Sequence, residues 1–182
     1  RKLFPEGRID VLVISYSAAV VNHHPDIDHV YVYTKVKHKN PEQTAFGVYW
    51  QRLKLTLSLR WRKYDWVVLA NVSCIPRPLR WASQICGKRT VGFVTPENNA
   101  TGVITDPVPL NRTVPLHEVE YLLQLLRPFT EVPVEPVPTP TIYPRPDNKQ
   151  RLLKVIPISF WKGKKPIIGL NISARKLSQQ WS

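Results

Sequence analysis

The sequence predicts an α/β protein with a Rossmann-like, mainly parallel sheet. Short apolar segments rich in β-branched residues alternate with helical patterns, as in βαβ units. These segments are nearly continuous in their apolar character, which is typical of strands buried on both faces. A proline-rich stretch followed by a new apolar segment indicates that a second α/β domain begins near residue 166.

The predicted elements follow in chain order. The strands are expected over residues 9–15, 29–34, 65–71, 89–93 and 166–173. The helices are expected over residues 18–23, 43–61, 76 or 78–86, 117–126 and 149–154. Residues 94–114 have no clear periodicity and are expected to form a loop.

The longest predicted helix, residues 43–61, has an amphipathic pattern. Phe46, Trp50, Leu53, Leu57 and Trp61 recur at helical spacing, with lysines and arginines between them. We interpret this stripe as the face that packs on the core, so both tryptophans are expected to be core residues.

The next helix, which ends near Cys86, carries two further expectations. Cys86 is predicted to be a small core residue on the apolar face. Gly87 is placed to cap the helix. The two cysteines of the chain are too few for a disulfide framework or a metal cluster.

The domain organisation predicted from these elements has three parts. Residues 1–130 form an α/β domain, residues 131–165 a proline-rich and basic connector, and residues 166–182 the first strand of a second domain. A lone strand cannot bury both of its faces. We therefore expect the chain to be truncated after this strand.

The net charge of +13 indicates an anionic partner. Between residues 35 and 63, eight lysines and arginines stand against the single acidic residue Glu42. Nucleic acid, an acidic membrane surface and a phosphorylated substrate all fit this charge, as does a soluble protein that is simply basic. No apolar segment approaches the length of a membrane-spanning helix.

Ligands of open parallel sheets bind beyond the carboxyl ends of the strands. In this sequence those ends carry hydroxyls, an amide and a lysine, including Ser15, Thr34, Lys35, Asn71 and Thr95. Such groups suit a polyhydroxylated or phosphorylated ligand, and they are also ordinary turn residues. No glycine-rich dinucleotide motif or phosphate-binding P-loop motif is present.

Three further groups of polar residues are candidates for ligand or metal binding. His23 and His24 lie near two aspartates, but a helix end followed by a turn explains them better than a metal site. His117 begins a helix and either faces the cleft or only starts the helix. The end of the last strand, Asn171 to Lys176, combines an amide, a hydroxyl and two cations, which is the chemistry of a phosphate site.

The order of these segments resembles glycosyltransferase family 9, the bacterial lipopolysaccharide heptosyltransferases. The matching residues extend over nearly the whole chain, and they are Phe4-Pro5-Glu6, Ile9-Asp10-Val11-Leu12-Val13, Pro25-Asp26-Ile27-Asp28-His29-Val30, Tyr64-Asp65, Lys88-Arg89-Thr90-Val91-Gly92-Phe93, His117 and Trp181.

The resemblance implies a GT-B architecture, of which this chain would be the N-terminal half, truncated at both ends. It implies an inverting, metal-independent transfer of heptose from ADP-heptose to the lipopolysaccharide inner core. No cofactor is implied, since the nucleotide-sugar is a substrate. The implied partners are an anionic lipid-linked saccharide and, peripherally, the cytoplasmic surface of the inner membrane, with no nucleic acid.

The resemblance also implies site residues. The acceptor side would be formed by Lys35, Lys37, Lys39, Asn71 and His117. The donor side would be formed by Asn171, Ser173, Arg175, Lys176 and Gln179.

Two departures from the family pattern affect these expectations. The aspartate that serves the family as general base would lie before Arg1, so the catalytic residue is unknown and the isolated fragment is expected to be inactive. Gln179 stands where the family usually has a donor-binding lysine.

Two alternatives remain open beside the transferase. The first is a basic α/β module that binds nucleic acid, which would need aromatic side chains exposed on a basic face. The second is a relative of the transferase that has lost catalysis.

Overall fold

A computed structural model describes residues 1–34, 44–72, 76–96, 102–113, 115–131, 139 and 141–156. The predicted acceptor lysines and the whole predicted donor side lie outside these residues, as does the strand predicted over 166–173. These are Lys35, Lys37, Lys39, Asn171, Ser173, Arg175, Lys176 and Gln179.

The chain divides into two compact units, Arg1–Tyr143 and Pro144–Ser182. The division falls inside the range predicted to be the connector. In the second unit the described structure contains one helix, α5 (Asn148–Val155).

The first unit contains five strands and four α-helices within the described residues. The strands are β1 (Asp10–Ile14), β2 (His29–Tyr33), β3 (Trp66–Val68), β4 (Arg89–Val94) and β5 (Asp106–Pro109). The helices are α1 (Ala18–Val21), α2 (Ala45–Trp61), α3 (Pro76–Ile85) and α4 (Glu118–Leu123), with 3-10 turns at Ser15–Ser17 and Gln124–Leu126.

All strand pairs in the described residues are parallel. Strands β1 and β2 pair along their full length, from Asp10 opposite His29 onward. Strands β3, β4 and β5 form a second sheet in that order. Helix α1 lies between the paired strands β1 and β2, and α3 between β3 and β4, as crossover connections between parallel strands require. The predicted α/β class with parallel strands and flanking helices is confirmed.

The core lies on both faces of the sheets. On strand β3, Trp66 packs against one buried cluster and its neighbour Val67 against another, because successive strand residues point to opposite faces. The first cluster joins β4 and β5 to α4 and its 3-10 turn. It contains Val72, Val91, Phe93, Val108, Tyr121 and Leu125.

The second cluster connects the two sheets through shared helices. Leu59 of α2 and Trp81 of α3 pack together with Tyr31 of β2. Leu12 of β1 and Val67 of β3 pack against the same cluster from the two sheets. Helices α2 and α3 therefore form one layer over both sheets, and α4 lies in the layer on the other side.

Helix α2 is present as predicted, but its apolar stripe faces solvent and not the core. The Thr44 hydroxyl caps the helix by accepting a hydrogen bond from Gly47 N at 3.1 Å. Trp50 and Trp61 are 50% and 83% exposed, so the interpretation of both as core residues is wrong. The buried face is instead formed by Val48 and Leu59, which lie on the opposite side of the helix.

The end of α3 corrects two further expectations. Cys86 is exposed rather than in the core, and its thiol donates to Ser83 O at 2.9 Å. Gly87 is not the residue that ends the helix in a left-handed conformation, because Cys86 takes that conformation, with φ of 55°. A Cβ on Gly87 would lie 2.6 Å from Val67 Cγ2, so glycine is needed there for close approach to β3.

Strand β5 replaces part of the predicted loop. Its sequence, Asp106-Pro107-Val108-Pro109, contains two prolines, which lack the N–H that a central strand needs. Among the described strands, β5 pairs only with β4, so it behaves as an edge strand, where proline is tolerated. Leu110 N donates to Val94 O at 2.9 Å and continues this pairing past the end of the strand.

Candidate functional site at the carboxyl edge of the sheet

An open cleft of about 390 Å³ lies at the carboxyl ends of β4 and β5. Its lining residues come directly after these two strands, at the edge where parallel sheets bind ligands. They are Thr95, Pro96, Leu110, Asn111, Arg112 and Thr113. We call this feature the carboxyl-edge cleft.

Arg112 connects this cleft to the neighbouring strand. Its Nη2 donates to the carbonyl oxygen of Val72 at 3.2 Å. Val72 follows β3 and is buried in the cluster below the cleft. The guanidinium is therefore fixed across the ends of β3 and β5, although the residue as a whole is exposed. Within the described ranges, Arg112 forms no ion pair.

The backbone beside Arg112 is held by an Asn side chain. Asn111 Oδ1 accepts hydrogen bonds from Thr113 N at 2.9 Å and from Thr113 Oγ1 at 2.7 Å. This is the Asx-turn pattern, in which a side chain replaces a backbone acceptor in a tight turn. The turn orders the segment after β5 and fixes the backbone from which the Arg112 side chain extends.

Charges at the opposite edge of the sheets are arranged differently. Asp10, Asp65 and Asp106 lie at or just before the amino ends of β1, β3 and β5, and each forms an ion pair. Their partners are Arg8, Lys88 and Arg89 respectively.

These pairs neutralise the acidic groups of that edge. The hydrogen bond from Lys88 lowers the pKa of Asp65. For Asp106, burial raises the pKa, but the hydrogen bonds from Arg89 and Thr105 outweigh it, and the net shift is downward. The amino edge therefore has its cations already paired, in contrast to Arg112.

His117 lies at the start of α4, the helix that follows the cleft segment. Its Nδ1 accepts from Val119 N at 3.3 Å, and its backbone N–H donates to Glu120 Oε2 at 2.7 Å, which together form a capping box. The prediction that His117 begins a helix is confirmed. With Nδ1 used as an acceptor, the neutral ring carries its proton on Nε2 and can donate to a ligand from there.

The other predicted acceptor residue within the structure is Asn71. It lies in the segment after β3, half buried, and its backbone N–H donates to Leu69 O at 2.7 Å. The described residues that line the carboxyl-edge cleft include neither Asn71 nor His117. Both nevertheless lie on segments that leave the same edge of the sheet, one before β4 and the other after β5.

Arg112 was missed because the segment around it was interpreted as a loop. Its sequence did contain a signal, since Val108 and Leu110 alternate with prolines at the period of a strand. Once that strand is recognised, Asn111 to Thr113 is the polar segment at its carboxyl end. Because prolines are atypical of strands, the sequence predicted neither this strand nor the cleft beside it.

The chemistry that the cleft offers is the recognition of anions and hydroxyls. A guanidinium binds carboxylate and phosphate groups with paired hydrogen bonds, and the threonine hydroxyls accept or donate. Among the described residues, no group of three or more His, Cys, Asp or Glu side chains could hold a metal ion. No helix in the described part of the chain is long and apolar enough to cross a membrane.

Comparisons with known proteins support a fold but no family. No protein-family model matches the chain, and no curated protein matches its sequence. One solved structure with a similar fold is the E. coli ADP-heptose LPS heptosyltransferase II, with a TM-score of 0.55 and 16% identity. The match covers 86% of this chain and 44% of that chain, so this chain spans less than half of that protein's length. At this identity the likeness is one of fold, and the chain has a glycosyltransferase-like α/β fold.

Proposed function

We propose that this chain is part of a glycosyltransferase that acts on an acidic, lipid-linked saccharide. The observation that carries the proposal is the carboxyl-edge cleft of a glycosyltransferase-like fold, in which Arg112 is fixed by Val72 but forms no ion pair with any described residue. A cation held in this way at the ligand edge of a parallel sheet suits a carboxylate or phosphate on the acceptor.

The finer assignment follows from the sequence resemblance and from the name of the structural neighbour. The proposed reaction transfers heptose from ADP-heptose to the inner core of lipopolysaccharide, without a metal. We propose that Lys35, Lys37 and Lys39 contribute to the acceptor side, together with Asn71 and His117. On the donor side we propose Asn171, Ser173, Arg175, Lys176 and Gln179.

This assignment leads to a proposed location. The acceptor is a lipid-linked saccharide, so the protein would act at the cytoplasmic surface of the inner membrane. The net charge of +13 would favour an acceptor that carries phosphate and carboxylate groups.

The experiment is a calorimetric titration of the chain with a soluble inner-core oligosaccharide that carries phosphates and carboxylates. The control ligand is the same oligosaccharide after removal of the phosphates and reduction of the carboxylates. We expect binding of the acidic form and at least about tenfold weaker binding of the neutral form, since hydrogen bonds to charged groups contribute about 1.5–3 kcal/mol. Equal affinity for the two forms would contradict the proposal.

A second candidate function, the binding of nucleic acid, is favoured by one specific observation. It requires aromatic side chains exposed on a basic face, and Trp50 and Trp61 are exposed on a helix without acidic residues. A single-stranded oligonucleotide in the same calorimeter tests it. If the oligonucleotide binds and the acidic saccharide does not, this function replaces the first.

A further inference from the structure

Helix α2 presents an exposed apolar surface that is not part of the buried core in the described residues. The surface consists of five side chains, which we call the outward stripe: Phe46, Trp50, Leu53, Leu57 and Trp61. Phe46 and Trp61 are 78% and 83% exposed, and the other three are about half exposed. At 3.6 residues per turn, their spacing places them within a strip roughly 80° wide along the helix.

The opposite side of α2 holds the helix on the protein. Val48 and Leu59 are buried there, and Leu55 packs on the cluster that includes Trp81 of α3. This inner face accounts for the attachment of the helix. The outward stripe is therefore additional apolar surface, and continuous exposed apolar surface on a protein marks an interaction site.

The charged residues of the segment that carries the outward stripe are all positive. Residues 44–64 contain no aspartate or glutamate. The cations of this segment are Arg52, Lys54, Arg60, Arg62 and Lys63.

Two of these cations flank the stripe directly. Lys54 lies one helical turn after Trp50, and its Nζ is 5.5 Å from the centre of the Trp50 ring. Arg60 follows Leu57 by three residues, on the other side of the stripe. The apolar strip thus has a cation along each margin.

Three occupants of this surface have different physical requirements. A second copy of the chain would bring two sets of like charges together, which opposes association. A single-stranded nucleic acid would stack on the aromatic rings but gains little from Leu53 and Leu57. An anionic membrane interacts with both the apolar side chains and the cations. The apolar side chains enter the acyl boundary, while lysine and arginine side chains reach the headgroups.

We propose that the outward stripe of α2 docks the protein on an anionic membrane surface. Phe46 and Trp61 lie at the two ends of α2 and enter the headgroup region, and Lys54 and Arg60 contact the acidic headgroups. The inference rests on the proposed function, because a lipid-linked acceptor is presented at a membrane. It adds to that function the surface by which the chain reaches its acceptor.

The test is sedimentation of the 182-residue chain with lipid vesicles that contain no saccharide acceptor. One set of vesicles contains phosphatidylglycerol and phosphatidylcholine, and the other contains phosphatidylcholine alone. The stripe variant is Phe46→Ser with Trp61→Ser, and the charge variant is Lys54→Glu with Arg60→Glu. The matched control is Ile142→Ser, which removes an apolar side chain that is 67% exposed elsewhere in the same unit.

We expect the parent chain to bind the anionic vesicles and to bind neutral vesicles about tenfold more weakly or not at all. The stripe and charge variants should each lose about tenfold or more in affinity for anionic vesicles, while Ile142→Ser stays within about twofold of the parent. Far-ultraviolet circular dichroism verifies that the variants keep their helices, which is expected because the substituted side chains are exposed.

Several results would overturn the inference. One is a parent chain that does not bind anionic vesicles, and another is a stripe variant that binds them as tightly as the parent. A parent dimer in light scattering that the stripe substitutions dissociate would also overturn it. So would a stripe variant that loses oligonucleotide binding but keeps vesicle binding. The saccharide titration contains no lipid, so failure of the proposed function is measured separately.

Discussion

At the scale of single residues, Asp10 illustrates how a buried charge is held. Its side chain is 3% exposed and lies 2.9 Å from Arg8 Nε. Its other oxygen accepts a hydrogen bond from the Tyr64 hydroxyl at 2.5 Å. Burial and this hydrogen bond raise the pKa of Tyr64 above its ordinary value. Since Asp10 begins β1 and Tyr64 precedes β3, this contact connects the two sheets.

We therefore expect Tyr64→Phe to lower the free energy of unfolding by about 1–2 kcal/mol, because the buried carboxylate loses a hydrogen-bond donor. Urea denaturation of the parent and the variant measures the difference. Tyr49→Phe is the matched control, since Tyr49 is 60% exposed, and it should leave the stability unchanged. Equal stability of Tyr64→Phe and the parent would mean that the hydrogen bond contributes nothing.

The individual residues of the site were only partly predictable from the sequence. The position of His117 at the start of a helix was predicted and is confirmed, whereas its role on the acceptor side stays a prediction. Arg112 was not predicted as a site residue. Its place beside the cleft depends on β5, whose two prolines are atypical of a strand, and on a hydrogen bond to Val72, forty positions earlier in the chain. Contacts between distant segments leave no trace in local periodicity.

At the scale of elements, the capping box of α4 separates two roles of His117. Its Nδ1 caps the helix, and Nε2 is the atom that we propose to contact the acceptor. His117→Ala removes both groups, whereas His117→Asn retains a good N-cap without the second ring nitrogen. The two variants therefore distinguish stability from binding.

We expect His117→Ala to lower the free energy of unfolding by about 1 kcal/mol, and His117→Asn to lower it by less. Both variants should bind the acidic oligosaccharide more weakly than the parent in calorimetry. If His117→Asn binds as tightly as the parent, His117 is only a helix cap and the proposed contact with the acceptor is wrong.

The bounds of most elements agree with those predicted from the sequence, but the orientation of α2 does not. Four strands and the principal helices lie within a few residues of their predicted positions. The apolar spacing of α2 correctly predicted a helix with Phe46 and Trp61 on one stripe. It did not determine which face is inward, because Val48, Leu55 and Leu59 form a second apolar face on the other side. With apolar residues on both sides, only tertiary contacts decide the orientation.

At the scale of the whole molecule, ion pairs collect along the amino edge of the sheets. Asp28 accepts hydrogen bonds from Ile9 N and from Arg1, which lower its pKa, with the backbone bond contributing most. The pKa of Asp65 is lowered by its hydrogen bond with Lys88. Burial raises the pKa of Asp106, but the hydrogen bonds from Arg89 and Thr105 outweigh it, and the net shift is downward.

These shifts predict loss of stability in acid. A carboxylate with a lowered folded pKa contributes stability above its ordinary value of 3.8, and this contribution disappears as the pH falls through the folded pKa. We expect the urea midpoint to be constant between about pH 5 and 7 and to fall below about pH 4. Asp106→Asn should reduce this dependence, and a midpoint that rises toward low pH would contradict the assignment.

The two edges of the sheets differ in how their charged residues are paired. Aspartates and cations neutralise each other at the amino edge, whereas Arg112 lies at the carboxyl edge without an ion pair to any described residue. The α/β class and the net charge were predictable from the sequence because both depend on composition and periodicity. The position of Arg112 beside the carboxyl-edge cleft was not, because it depends on the register of the strands.

The most direct test of this account is the affinity of Arg112→Met for the acidic inner-core oligosaccharide, measured by calorimetry. The control is Arg127→Met, which removes an exposed arginine at the far end of α4 and its 3-10 turn. If Arg112 binds the acidic group of the acceptor, its variant should raise Kd by about tenfold or more, and the control should match the parent. Equal affinities for all three proteins, or equal losses in both variants, would contradict the assignment of the carboxyl-edge cleft as the acceptor site.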